Sequence, residues 1–199
     1  MKKLSLILFS LFLLSYSTFA STYSSDPKMF VSELVNDAIS KLSDNNLSKE
    51  EKATFIENVA IENVDINALG LYTLGELRKS TDKDSLKNYQ QAFKKYFLKN
   101  LTSRLTDYSS NKLEIINAEK KSSNYTIVKS KIIANDNQPE IKIDWRIYTK
   151  NPDKPLIRDL IVEGLSLART QKEEFNSIIK NNDNNINALF KSLEEFIIK

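Results

Sequence analysis

The chain contains no cysteine and no histidine, and only three glycines and four prolines in 199 residues. Each shortage removes a kind of chemistry. Without cysteine there is no disulfide framework, no thiolate nucleophile and no site for an N-terminal lipid anchor. Without histidine the commonest general base and the commonest zinc ligand are missing. Gly70, Gly75 and Gly164 are too scattered to build a glycine-rich phosphate loop. What remains for catalysis is carboxylate chemistry. An excess of one charge is missing as well. The full chain carries a formal +3, but Lys2 and Lys3 lie in the N-terminal leader, and without them 27 basic residues face 26 acidic ones. A nearly neutral chain is a poor match for nucleic acid.

The leader is MKKLSLILFSLFLLSYSTFA, residues 1–20. A basic start, an apolar stretch from Leu4 to Leu14 and small residues before Ala20 make the three-part pattern of a secretory signal peptide. An uncleaved anchor is the alternative, but the apolar stretch is short of the ~20 residues that a spanning helix needs. The mature chain is therefore expected to run from Ser21 to Lys199 as one exported domain, long enough to fold around its own core.

Periodicity then divides the chain. Asp26-Pro27 is a helix start, followed by an apolar face from Phe30 to Leu42. Ser48 and Glu51 have capping-box spacing and open a second helix. Asp65 caps a short third helix weakened by Gly70 and Gly75, read as close helix packing or a helix end near Gly75. The longest helix starts near Asp82 and carries an aromatic stripe through Tyr89, Phe93, Tyr96 and Phe97 towards Tyr108. After Asn111 the period changes to two. Lys112–Ala118, Asn124–Ala134, 141–148 and Leu156–Val162 read as strands, with turns at Asn135–Pro139 and Asn151–Pro155. The clearest alternates Ile141, Ile143, Trp145 and Ile147 with polar residues, as in a sheet covered on one face. Two helices close the chain. The expected class is α+β: a twisted antiparallel sheet of about four strands, with N- and C-terminal helices packed on its apolar face.

The acidic residues make a weak case for an enzyme. Asp159 and Glu163 lie four apart on one strand, more than ~10 Å along an extended chain, and a plain ion pair to Arg146 or Arg158 explains them as well. Asp136, Asp153 and Asp183 lie in loops without calcium-loop spacing. The apolar strand and the aromatic helix could close into a core, or leave an apolar cavity between them. Pattern alone leaves both open, together with an exported domain that grips a protein or peptide.

The order of motifs adds a resemblance. Val64-Asp65, then Leu74-Gly75-Glu76-Leu77-Arg78, then Phe93 and Phe97, then Leu105-Thr106-Asp107-Tyr108 resemble successive motifs of the MlaC family, the periplasmic phospholipid carriers of the toluene-tolerance type. Asp159-Leu160-Ile161-Val162-Glu163-Gly164-Leu165-Ser166-Leu167 is similar to that family's second signature. The chain departs from the pattern at Val64, where the family has Phe, at Leu77, where it has Trp, and at Gln171-Lys172, where it has Tyr-Arg. The resemblance covers about residues 27–195. It implies a soluble periplasmic carrier that needs no catalytic residue, metal or cofactor and takes phospholipid as cargo. Its partners would be an outer-membrane lipoprotein–porin complex and an inner-membrane ABC transporter. A monomer is expected. The lining expected for the cargo is Leu69, Leu74, Phe93, Phe97, Leu101, Ile132, Ile141, Ile143, Trp145, Ile147, Ile161, Leu165 and Leu167. Gly164 is expected to act as the hinge that turns the last strand into the covering helix.

Overall fold

The computed structural model describes residues 23–106, 112–134 and 139–198. The expected signal peptide, Asp107-Tyr108 of the helix-end motif, and Asn135 to Gln138 of the first turn, Asp136 included, lie outside them. Four helices come first: α1 (Pro27–Leu42), α2 (Lys49–Asn63), α3 (Ile66–Thr73) and α4 (Lys83–Leu105), with a 3₁₀ turn (Gly75–Lys79) before α4. Strands β1 (Leu113–Ser122), β2 (Tyr125–Ile132), β3 (Ile141–Tyr148), β4 (Leu156–Val162) and β5 (Leu165–Ser166) follow, and then α5 (Leu167–Lys180) and α6 (Ile186–Ile198). The strands form one antiparallel sheet in chain order. The class is α+β, as the pattern predicts, with five strands in place of about four.

The helix starts follow from their caps. Asp26 accepts from the amides of Lys28 and Met29, with Pro27 in the first turn, where a missing N–H costs nothing. The capping box of α2 is complete: Ser48 Oγ accepts from Glu51 N, and the Glu51 carboxylate accepts from Ser48 N. Asp82 caps α4 through the amides of Asp84 and Ser85.

The hydrophobic residues form two cores. In the first, Phe30, Val31 and Leu34 of α1 pack on Val128, Trp145, Ile147 and Ile157 of the sheet. Trp145 satisfies its indole N–H inside this core by donating to Ser130 Oγ at 2.9 Å, and Ser130 donates to the carbonyl of Ile143. The second core is wholly helical. Ala60, Ile66, Leu74, Tyr89, Phe93 and Leu98 meet Phe175 and Ile179 of α5 and Leu189 and Leu193 of α6. Full burial of each large aliphatic or Phe side chain among them contributes about 1.5–3 kcal/mol. The aromatic stripe of α4 therefore faces other helices. Phe93 lies among the rings of Tyr89, Tyr96, Phe97 and Phe175, with centroids 6.0–6.4 Å away.

The polar face of the sheet is not left bare at β4. Register sets Asp159 opposite Arg146, on the face away from Trp145. Asp159 is only 4% exposed, because the start of α5 covers it. Its carboxylate accepts from Ala168 N at 3.0 Å and from Ser166 Oγ at 2.6 Å, with Arg146 Nη1 at 3.7 Å.

Gly164 also differs from expectation. It does not turn the strand directly into a helix. Glu163 (φ 49°) and Gly164 (φ 82°) form the two-residue turn of a hairpin in which Val162 pairs with Leu165. Two successive positive φ values suit the twist of a tight hairpin. Only after β5 does Ser166 cap α5. A Cβ at Gly164 would meet nothing within 4 Å, so the glycine serves the backbone angle and not packing.

Gly70 has the opposite role. A Cβ there would stand 2.9 Å from Phe93 Cδ1. Ala gains ~1 kcal/mol of helix propensity over Gly. The clash with a ring held by four others should outweigh that gain, so Gly70→Ala is expected to lower stability by about 1–2 kcal/mol in urea unfolding. Phe93→Leu should cost less in the Gly70→Ala background than alone. Additive costs would show that the two positions are not in contact.

Candidate functional site

One helix, α2, contributes to both cores. Val59 of α2 packs on the sheet core, Ala60 belongs to the helical core, and Val64, just after the helix, packs on both. A helix with apolar neighbours on two sides has no single apolar stripe. That is why Phe55, Ile56, Val59, Ala60 and Ile61 show only a weak period.

A cleft lies near each end of α2. One, of ≈ 220 Å³, is lined by Lys49, Glu50 and Ala53 at the start of α2 and by Lys99, Thr102, Ser103 and Thr106 at the end of α4. The other, of ≈ 290 Å³, lies where α2 ends, between Ile61, Val64, Ile66, Lys94, Lys154 and Leu156, with Glu62, Asp65 and Asn67 completing its wall. Both fall below the ~300–1,000 Å³ usual for ligand pockets.

The second cleft borders a polar cluster centred on Asp65 and Arg158. Val64 forms a parallel bridge with Ile157, and Asp65 N donates to the Ile157 carbonyl at 2.9 Å. The Asp65 carboxylate accepts from Ala68 N, capping α3, and from Arg158 Nε at 2.8 Å, with Arg158 Nη2 at 2.7 Å. The guanidinium also donates through Nη1 to Tyr125 Oη at 2.7 Å and lies 3.4 Å from the Tyr148 ring centroid. Arg158 can reach this far because it is the extra residue of a bulge between the Arg146–Asp159 and Ile147–Ile157 pairs. In the helical core the Tyr89 hydroxyl meets Thr73 Oγ1 at 2.9 Å, and burial pushes the phenol well above its usual pKa.

The expected lining residues fall into separate groups. Phe93 and Leu74 are in the helical core, and Leu69, Phe97 and Leu101 pack half-buried against it. Trp145 and Ile147 are in the sheet core with Ile143 against it, and Ile132 pairs with Ile141 at the end of the same face. The helix α2 touches both groups through Val59, Ala60 and Val64 at its end. Three residues lie elsewhere. Ile161 pairs with Asp144 and so sits on the opposite face of the sheet. Leu165 is 70% exposed on the hairpin and Leu167 is 49% exposed at the start of α5, so neither reaches an interior. The carboxylates have structural tasks: Asp159 caps α5, and Glu163 accepts from Lys142 N beside the hairpin. At the departures from the family pattern, Gln171 accepts from Tyr96 Oη at 2.9 Å and Leu77 packs against the helical core. Sequence reasoning missed Val59 and Ala60, whose only signal was a helix without a clear face. It also missed Lys94 and Lys154, which nothing in their local sequence distinguishes.

The helix α2 thus borders both apolar clusters, with a cleft near each of its ends. The profile of the family described as MlaC protein matches residues 32–195, and the chain belongs to that family. Among solved structures it is similar to a phospholipid-binding protein from Ralstonia solanacearum in complex with a phospholipid. The TM-score is 0.68 at 17% identity, over 84% of this chain and 94% of that one. No curated protein sequence matches it.

The Asp65–Arg158 pair ties the helical layer to the sheet, so its strength is measurable. Asp65→Asn keeps an N-cap oxygen but removes the charge, and Arg158→Met removes the guanidinium. A double-mutant cycle on the two should give a coupling energy of about 1–3 kcal/mol. A coupling within experimental error of zero would show that the pair does not join the layers.

Proposed function

We propose that this chain is a periplasmic phospholipid carrier, which holds the acyl chains between the sheet core and the helical core and leaves the headgroup near solvent. The observation that carries the reading is membership of the MlaC family, together with the likeness in fold to a protein that has a phospholipid bound. The leader at residues 1–20 supports export by a cleaved signal peptide. The cargo would pass between an outer-membrane lipoprotein–porin complex and an inner-membrane ABC transporter, which would set the direction.

The physics of the cargo explains why a carrier is needed. Exposing an acyl chain to water costs ~0.8 kcal/mol per CH₂, or on the order of 20 kcal/mol for two chains. An interior as apolar as a bilayer removes most of that cost without nucleotide, metal or catalytic residue. The clefts of ≈ 220 and ≈ 290 Å³ are too small for two chains. Loading therefore requires the two layers to part along α2, where Val59, Ala60 and Val64 now fill the seam.

The test is transfer of a labelled phospholipid between two vesicle populations. The mature chain is expected to accelerate transfer by at least about tenfold. Ile143→Asp, which sets a charge on the sheet side of the seam at the energetic cost of burying it, should abolish the acceleration while circular dichroism shows retained fold. Wild-type protein that leaves the spontaneous rate unchanged would refute the carrier reading and favour a peptide-binding module.

A further inference from the structure

The cleft at the end of α2 has a composition that the apolar seam does not explain. Its walls are apolar at Ile61, Val64, Ile66 and Leu156, and two amines stand on it, Lys94 from α4 and Lys154 from the turn between β3 and β4. We propose that this cleft seats the phosphate of a phospholipid between Lys94 and Lys154. The inference rests on the carrier reading and names where the headgroup of its cargo is held.

Charge is the first argument. Neither amine has an acidic partner among the described residues, whereas Lys121 and Lys129 share Glu119, and Lys131 lies between Glu114 and Glu140. Of the two carboxylates on the cleft wall, Asp65 is occupied by Arg158 and by Ala68 N. That leaves two amines against the exposed carboxylate of Glu62. Two lysines from distant parts of the chain that line one cleft suit a phosphate, which lysine binds as a point charge.

Position is the second argument. Val64 lines this cleft and also packs on both cores. A phosphate at the lysines would therefore stand at the outer end of the seam along which acyl chains would lie. The volume of ≈ 290 Å³ suits a phosphate with its glycerol and not the chains themselves. Both lysines are exposed, so the phosphate would keep part of its hydration.

The experiment compares a phospholipid with a diacylglycerol of the same chains, both presented in mixed micelles to the mature protein and to Lys94→Gln/Lys154→Gln. Wild type should bind the phospholipid roughly tenfold more tightly than the diacylglycerol. The double variant should lose that difference with diacylglycerol binding unchanged. Equal phospholipid affinity for the variant and wild type would overturn the proposal and leave the carrier reading intact. Wild type that binds neither lipid would overturn both. Inorganic phosphate, followed by ³¹P NMR, should bind lipid-free protein weakly and be excluded once phospholipid is loaded. Equal binding of phosphate to loaded protein would assign the cleft to free phosphate and overturn a lipid seat.

Discussion

The attachment of Val64 and Asp65 to the outer edge of β4 is the constraint on which the rest of the structure depends. Two backbone contacts to Ile157 and the ion pair to Arg158 join the end of α2 and the start of α3 to the sheet. This contact anchors one end of the seam between the cores. The first layer is the sheet with α1, and the second is the bundle of α3 to α6. Because Arg158 is also fixed by Tyr125 and Tyr148, the attachment draws on β2, β3 and β4 at once. Partly buried charges are costly unless their hydrogen bonds are met; Asp65 and Arg158 meet theirs, and among the described residues every buried side-chain nitrogen and oxygen has a partner.

A two-layer design of this kind fits a carrier better than one continuous core does. In a single core, every residue that lined a cargo would also hold the fold together. Here each layer has its own fully buried set: Val31, Val128 and Ile147 in one, Tyr89, Leu189 and Leu193 in the other. Each layer would therefore keep its interior if the two parted along α2. The pinned end at Val64–Asp65 would then be the fulcrum, and the cleft with Lys94 and Lys154 lies beside it. An amphiphile would meet the same order of surfaces as it meets in a bilayer, with charge outside and hydrocarbon inside.

Much of this was legible in the sequence, and the parts that were not share a physical reason. The caps at Asp26, Ser48, Asp65 and Asp82 are local chemistry and could be read directly. The alternation of Ile141, Ile143, Trp145 and Ile147 identified the strand and its buried face. The partner of each apolar face could not be read in the same way. The stripe of α4 and the face of β3 are both apolar, and nothing in either says that one meets α5 and α6 while the other meets α1. The hairpin at Glu163-Gly164 was hidden because β5 is only two residues long, too short for a period. Lys94 and Lys154 come together only through tertiary structure, so no spacing rule could pair them.

The most direct test of the account is native mass spectrometry of the mature chain, residues 21–199, purified from the periplasm under mild conditions and then extracted with organic solvent. The account predicts a bound mass that corresponds to one diacyl phospholipid per chain and is recovered in the extract. A lipid-free mass that stays unchanged after incubation with phospholipid vesicles would contradict it, because the two layers would then be one closed interior.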